Sequence, residues 1–586
     1  MPLVKVPDCG KGVNLDLSPE ELAIGMWSSC KNMRFVNGYA QRFNGTSSIF
    51  AAPSITPYYL ASYLTPTKRF WVHAGTAKAF SDDGSTRVEI TRRNTIALTS
   101  ITFATTTATV TTTAAHGLTT GASVTIVGAT PAAYNGTFTI TVTSTTTFTY
   151  TMASNPGVNA TIASAVLYAA SSDFTGARDD RWTGGVLGGV LVMNNSVDAP
   201  QYWTGDAHPL RALTGWDANW RAQVVVPFKS YLVALDVTKS GTRYGSMVKW
   251  SAEAVPGSIP SSWDATDVTK NAGEQDLAET PDTLVDALPL GDALVVYKQK
   301  SMYAMRFVGG SFIFQFQRIP GESGMLFRGC GAVTPLGHVV LTAGDVVLNT
   351  GQGVQSIADG QVRRYIFSNI DSTNYKRAFV TTNPQRNEVL ICFPEVGQQS
   401  CTKAAVWNWG DKTWGMRDLT NVNYGATGLI ENQAFTTWGS DTETWELDAT
   451  TWNENAYSPN ESRLLFAENA RISAFDVSSS DDGATPLTGS LERVGMSLDE
   501  PSMVKLMRAV YARIDAPASS IITFQVGGAM YPDSAVTWSD PVQIAGGQAI
   551  KADSFASGRF LALRISCSAP WRMRSHDIDV KPMGSF

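Results

Sequence analysis

Apolar residues recur along most of the chain either at every second position or in short unbroken runs, the two patterns of β-strands buried on one face or on both. Asn387-Glu388-Val389-Leu390-Ile391-Cys392-Phe393-Pro394 is a run of the second kind, closed by a proline that cannot continue a central strand. After it, Val406-Trp407-Asn408-Trp409-Gly410-Asp411-Lys412-Thr413-Trp414 predicts a strand ending in aromatics, a Gly-Asp-Lys turn and a return strand opening on a third aromatic. Residues 378–419 together read as one four-stranded blade of a β-propeller. Similar units begin near Gly188, Tyr231, Asp292, Gly337 and Asn387, about 43 to 61 residues apart, as blades do.

The first interval is longer, near 120 residues, and an insertion accounts for the excess. Residues 94–171 are Thr- and Ala-rich, with Phe138, Ile140 and Val142, then Phe148 and Tyr150, in strict alternation with Thr. A polar stalk would not hold those side chains in phase, so a small β-sandwich or barrel is expected. Residues 1–50 stand outside the blade pattern as an N-terminal arm. In it Ser18-Pro19-Glu20-Glu21 predicts a capping box and a short helical turn, and Asn37-Gly38 a two-residue hairpin. The expected division is the arm, a first blade over 51–93, the insertion, the remaining blades over 172–450, and a C-terminal β-sandwich region over 451–586. In that last region Leu561, Leu563 and Ile565 share one strand face. The fold class is thus all-β, a propeller of six or seven blades, the count depending on strands around 425–445.

Composition narrows the function. A net charge of −6 without basic clusters argues against a protein whose task is to grip phosphates. Six scattered cysteines without a Cys-x-x-Cys pair suit free thiols made in a reducing cytoplasm. No basic-then-apolar leader and no apolar run long enough to span a bilayer is present, so neither export by a cleaved signal nor a membrane-spanning segment is expected.

Candidate chemistry is sparse. His73, His116, His208, His338 and His576 stand alone, without a metal-ligand spacing. Of the carboxylate pairs Asp82-Asp83, Asp179-Asp180 and Asp481-Asp482, the first and last precede a glycine, as turn formers do. No Gly-x-Ser-x-Gly elbow occurs, and Gly351-Gln352-Gly353 lacks the third glycine of a dinucleotide loop. No catalytic, metal or cofactor residues are assigned. The sixteen tryptophans fit blade packing better than a stacking platform, since little basic charge lies beside them, and Trp203, Trp407 and Trp409 are expected between blades or against a next subunit.

The order Gly12-Val13-Asn14, Ser18-Pro19-Glu20-Glu21-Leu22, Trp27-x-x-Cys30-Lys31-Asn32-Met33-Arg34-Phe35-x-Asn37-Gly38 and Arg42-Phe43-Asn44-Gly45 resembles the start of nozzle proteins of short-tailed bacteriophages, the tail tubular protein B-like family. Asp180-Arg181-Trp182-Thr183-Gly184-Gly185, Asp198-Ala199-Pro200-Gln201-Tyr202-Trp203, Val248-Lys249-Trp250-Ser251 and the Trp407-Asn408-Trp409 blade look like the same family. The resemblance implies a structural virion protein rather than an enzyme. It implies a homo-oligomer, a hexamer in the family, below a tail adaptor ring and near tail fibres or a tip protein, with double-stranded DNA passing through without specific binding. The expected location is the virion tail, after assembly in the host cytoplasm. Trp27, Asn32, Arg34, Arg42, Trp407 and Trp409 are the candidate assembly residues. The alternative is a carbohydrate-active or glycan-binding propeller, a depolymerase or adhesin.

Overall fold

The computed structural model describes residues 3–310, 312–430, 462–482, 485–532, 534–547 and 550–585, and the chain divides into two compact units. One comprises Tyr63–Tyr244 and Val248–Gln275, the other Met1–Ser62, Gly245–Met247 and Asp276–Phe586.

The first unit carries three four-stranded sheets whose strands pair in chain order. They are Tyr59–Leu64 to Arg87–Glu89, Thr183–Leu187 to Arg211–Ala212, and Trp220–Phe228 to Gly273–Asp276. Their middle strands, such as Val190–Asn194 and Tyr231–Lys239, are almost wholly buried, as strands covered on both faces must be. Trp203 is buried with its ring 5.5 Å from Tyr63 and 5.0 Å from Phe70, which places it between the first two of these sheets.

Between those two sheets the chain makes a separate double layer. Arg93–Ile96, Val166–Ser171, Ser123–Val127 and Gly136–Thr139 form one four-stranded sheet; Leu98–Ala104, Thr107–Thr112, Thr147–Thr151 and Thr141–Val142 form the other. Phe148 and Tyr150 point into its core with Ile101, Val110, Val124, Ile126 and Leu167. The alternating stretch 138–142 is not one strand. It changes sheets at Ile140, whose buried side chain marks the corner, while Phe138 stacks on Tyr150 at 4.2 Å. Arg93 pairs with Ser171, and the Ser172 amide donates to the Arg92 carbonyl at 2.8 Å, so the two ends leave the blade side by side. Residues 93–171 expressed alone are therefore expected to melt cooperatively by circular dichroism, and a featureless spectrum would contradict it.

The second unit holds two further four-stranded sheets, Leu284–Leu290 to Phe314–Arg318 and Gly331–Thr334 to Val354–Ser356. They are tied by a buried relay in which Tyr297 Oη and His338 Nδ1 lie 2.8 Å apart, His338 Nε2 lies 2.8 Å from the Pro289 carbonyl, and Asn349 donates to Tyr297 Oη. A sixth meander, Phe379–Asn383, Glu388–Phe393, Cys401–Asn408 and Thr413–Leu429, does not stop at its fourth strand. It continues through Met33–Val36, Tyr39–Arg42, Arg572–Ser585, Met503–Asp515 and Ile550–Gly558 into a thirteen-stranded sheet. A six-stranded sheet, including Ser29–Lys31, Gly489–Met496, Phe560–Cys567 and Ile521–Ala529, packs against it: Leu491, Leu561, Leu563, Ile565 and Phe524 share a core with Met507, Val510, Ile578 and Val580.

The chain is all-β and of the β-propeller class, with six four-stranded meanders among the described residues. Of the strands expected around 425–445, Gly425 to Leu429 belong to the long strand Thr413–Leu429, and those from 431 on lie outside the described residues.

Candidate functional site

The resemblance-bearing arm is woven into the second unit. The Asn37-Gly38 turn has positive φ at both residues and joins Met33–Val36 to Tyr39–Arg42 with Val36 opposite Tyr39, as a two-residue hairpin requires. Ser18-Pro19-Glu20-Glu21 makes only a 3-10 turn, Pro19–Glu21, and the Ser18 side chain caps nothing. The Glu21 amide, which a capping box would give to the Ser18 hydroxyl, is bonded instead to the Ser18 carbonyl at 3.0 Å.

Two turns lie side by side here. The Asn37 amide donates to Asp411 in the turn after Trp409, and Thr413 Oγ1 donates to the Phe35 carbonyl at 2.7 Å. Gly415 lets the strands touch, since a Cβ there would sit 2.3 Å from the Met33 carbonyl oxygen. Trp407 and Trp414 are buried on facing strands 6.5 Å apart, with Trp414 Nε1 donating to Ile357 O. Trp409 is half-buried in the turn, its amide donating to Asn387 O.

Beneath the hairpin is a cluster of buried charge. Arg34, only 3% exposed, donates from Nη1 to Asp476 Oδ2 at 2.7 Å, has Nε 3.1 Å from Glu388 Oε1, and lies 4.2 Å over the Phe43 ring. Arg417, 1% exposed, reaches Asp481 Oδ1 at 2.6 Å, Asn32 Oδ1 at 3.2 Å and the Asp418 carbonyl at 2.7 Å. Among the described residues Arg42 touches no carboxylate, and it donates to the Leu487 and Ser479 carbonyls. Asn32, at φ 54°, accepts from the Asp418 amide and donates to Thr488 O. Trp27 is buried with Nε1 on the Cys9 carbonyl and its ring 5.9 Å from His576.

Of the six candidate assembly residues, Trp27, Asn32, Arg34, Arg42 and Trp407 thus spend their side chains inside one subunit. Trp409 alone presents part of its surface. Sequence reading missed Glu388, Arg417 and Asp476 as members of the cluster, and it took Asp481 for a turn former, whereas Asp481 is buried in a short strand and paired with Arg417. The available signal was a carboxylate or guanidinium next to apolar strand residues, as in Glu388-Val389-Leu390-Ile391 and Ala474-Phe475-Asp476.

Electrostatics follow from this packing. Burial, opposed by Arg34 and reinforced by Asp476, raises the Glu388 carboxyl to about 7. Because its pKa is higher in the fold than in the unfolded chain, Glu388 contributes stability that is complete below about pH 4.5 and lost as pH rises through 7. His73 and His576 act oppositely: burial lowers both to about 4, so their contribution is present above about 6.5 and lost as pH falls through 4. Glu388→Gln is therefore expected to raise stability at pH 8 relative to pH 6, compared with wild type, by about 1 kcal/mol in denaturant melts. An unchanged pH profile would refute the assignment.

The remaining candidates have structural partners. Asp82 pairs with Arg87 at 3.0 Å, Asp83 accepts from Ser85 and Thr86, and Asp180 accepts from the Ala177 amide. Asp482 pairs with Arg471. His116 lies 3.1 Å from the Ser144 carbonyl and His208 2.8 Å from Tyr168 Oη. Among the described residues no group of three or more His, Cys, Asp or Glu side chains is arranged to hold a metal.

No family model and no curated protein matches the chain. Among solved structures it is similar to the N-terminal domain of Nup159 at 11% identity and TM-score 0.26, covering 75% of this chain and 95% of that one. It is also similar to the AfRom2 CNH domain at 8% and 0.23, covering 60% and 95%, and to a glycoside hydrolase at 11% and 0.22, covering 68% and 96%. At such scores these likenesses bear on no function; what the strand topology shows is an all-β chain of the β-propeller class.

Proposed function

We propose that this protein is a structural virion protein, the nozzle of a short phage tail, in which copies form a ring, six in the family, around an axial channel that retains genomic DNA and conducts it on ejection. The observation that carries this reading is the use made of the resemblance-bearing residues. Val13, Asn14, Trp27, Asn32, Met33, Arg34, Phe35, Arg42 and Phe43 are all buried scaffold that binds the arm to distant strands. A motif spent on scaffold is what a shared structural part requires; a shared active site would expose its polar groups to a substrate. The partners this reading brings are further copies of the chain, an adaptor ring above, fibres or a tip protein, and passing DNA.

Class averages of the purified chain with and without an adaptor ring test it: a ring with an axial hole supports the nozzle. Solitary particles in both samples that cleave or bind polysaccharide would replace it by the depolymerase or adhesin reading. A conduit must also let a polyanion slide, and phosphate contacts would add salt-dependent affinity. The net charge of −6 accordingly leads us to expect no duplex binding in a filter assay at physiological salt, and a submicromolar affinity falling steeply with salt would count against the proposal.

A further inference from the structure

The arm and the sandwich enclose a cavity of about 230 Å³ within the second unit. Its walls are apolar, with Val6, Leu22, Trp27, Met496 and Ile578 all buried. Leu498 and Asp499, also on its lining, hold left-handed backbone at φ 50° and 61°, which residues with a Cβ rarely adopt. Strain of this kind gathers at ligand clamps.

The cavity carries charge of both signs, and neither sign is paired. Arg493, 8% exposed, donates from Nη1 to the Pro19 carbonyl at 2.5 Å and to the Val494 carbonyl, and from Nη2 to the Leu22 carbonyl at 2.8 Å. Those bonds fix the guanidinium plane and take three of its five N–H donors, leaving the Nε hydrogen and one at Nη2. Among the described residues no carboxylate forms an ion pair with it, and burial, opposed by Glu20, lowers it to about 10. Glu20 lines the same cavity, and its Oε2 is buried without a hydrogen-bond partner among the described residues. Asp499, exposed, is a second carboxylate on the lining, while His576, held neutral by burial with Nδ1 3.2 Å from Cys9 Sγ, adds no charge. Opposite charges that share one cavity without touching call for a group that compensates both.

We propose that this cavity binds a zwitterionic α-amino acid with an apolar side chain, its carboxylate accepting from Arg493 Nε and Nη2, its ammonium donating to Glu20, and its side chain lying among Val6, Leu22, Trp27, Met496 and Ile578. A simple anion would be repelled by Glu20 and a simple cation by Arg493, whereas a zwitterion compensates both and brings no net charge into a buried site. The volume suits a ligand this small, since sites for drug-sized molecules run from about 300 Å³ upward. The inference is independent of the nozzle reading, since it requires one subunit only.

Calorimetric titration of the full chain tests it. L-Leucine is expected to bind more tightly than about 1 mM, and isocaproate and isoamylamine, each lacking one charged group, about tenfold or more weakly than L-leucine. Arg493→Gln would also release the Pro19 and Leu22 carbonyls, so the variant is Glu20→Gln, which keeps the shape of the side chain. It should weaken L-leucine by about tenfold while isocaproate keeps or gains affinity, a split that a merely structural Glu20 would not give. Failure of both L-leucine and L-phenylalanine to bind, isocaproate binding as tightly as L-leucine, or an equal loss of the two on Glu20→Gln would each overturn the proposal.

Discussion

Arg417→Met is expected to destabilise the second unit by about 3–5 kcal/mol, the loss seen when one member of a buried ion pair is removed. The guanidinium is the common partner of Asp481, Asn32 and the Asp418 carbonyl, and methionine fills the volume while leaving all three oxygens without it. Among the described residues Asp481 would keep only the Thr46 amide at 3.1 Å, too little for a buried carboxylate. Against a typical total of about 5–15 kcal/mol this is a large fraction, and the melting midpoint should fall on the order of 10 °C. Pairing it with Asp481→Leu should recover much of the loss, because an uncompensated charge is the main cost. A single-variant loss below about 1 kcal/mol, or a double variant no better than the single, would show that the Arg417–Asp481 pair does not tie these strands together.

The same cluster shows where sequence reading reached and where it stopped. Local chemistry was legible: Asn37-Gly38 specifies its turn by backbone preference, and Phe148 and Tyr150 alternate with Thr because one sheet face is buried. The blade interval was legible too, since each meander repeats a short-range pattern. The corner at Ile140 was not, because a strand that changes sheets keeps its alternation and differs only in which neighbours it pairs with. Nor was the extension of the sixth meander into a thirteen-stranded sheet. That depends on Met33 opposite Met416 and Ala40 opposite Met573, partners hundreds of residues away with no mutual signal in one sequence. Arg34 and Arg42 look like surface cations in sequence because nothing nearby neutralises them. Their partners, Asp476 and the Leu487 carbonyl, come from the far end of the chain.

Deleting residues 1–45 is expected to abolish folding of the second unit, not merely its assembly. The segment supplies strands to both sheets of the sandwich, Val4–Val6 on Arg572–Ser585, Ser29–Lys31 on Gly489–Met496, and the hairpin between Thr413–Leu429 and Arg572–Ser585. It also buries Val6, Cys9, Val13, Leu22, Trp27, Met33, Phe35, Ala40 and Phe43. At about 1.5–3 kcal/mol for each large side chain, their loss exceeds the usual margin of stability, and Asp476 would lose Arg34 and Arg417 would lose Asn32 as well. Native-state proteolysis should then degrade the C-terminal part of the truncated chain, and a protease-resistant, soluble product would contradict the account. The truncation therefore cannot separate folding from ring anchoring, whereas substitutions on the outer surface of the arm can. Lys11, Leu17 and Ile24 are exposed, so Lys11→Glu with Leu17→Ser and Ile24→Ser should leave the melt within about 1 kcal/mol of wild type. If the arm is the anchor, that folded variant fails to join a ring. If it assembles normally, the arm serves the fold of its own subunit alone, and the ring contact must be sought on another surface.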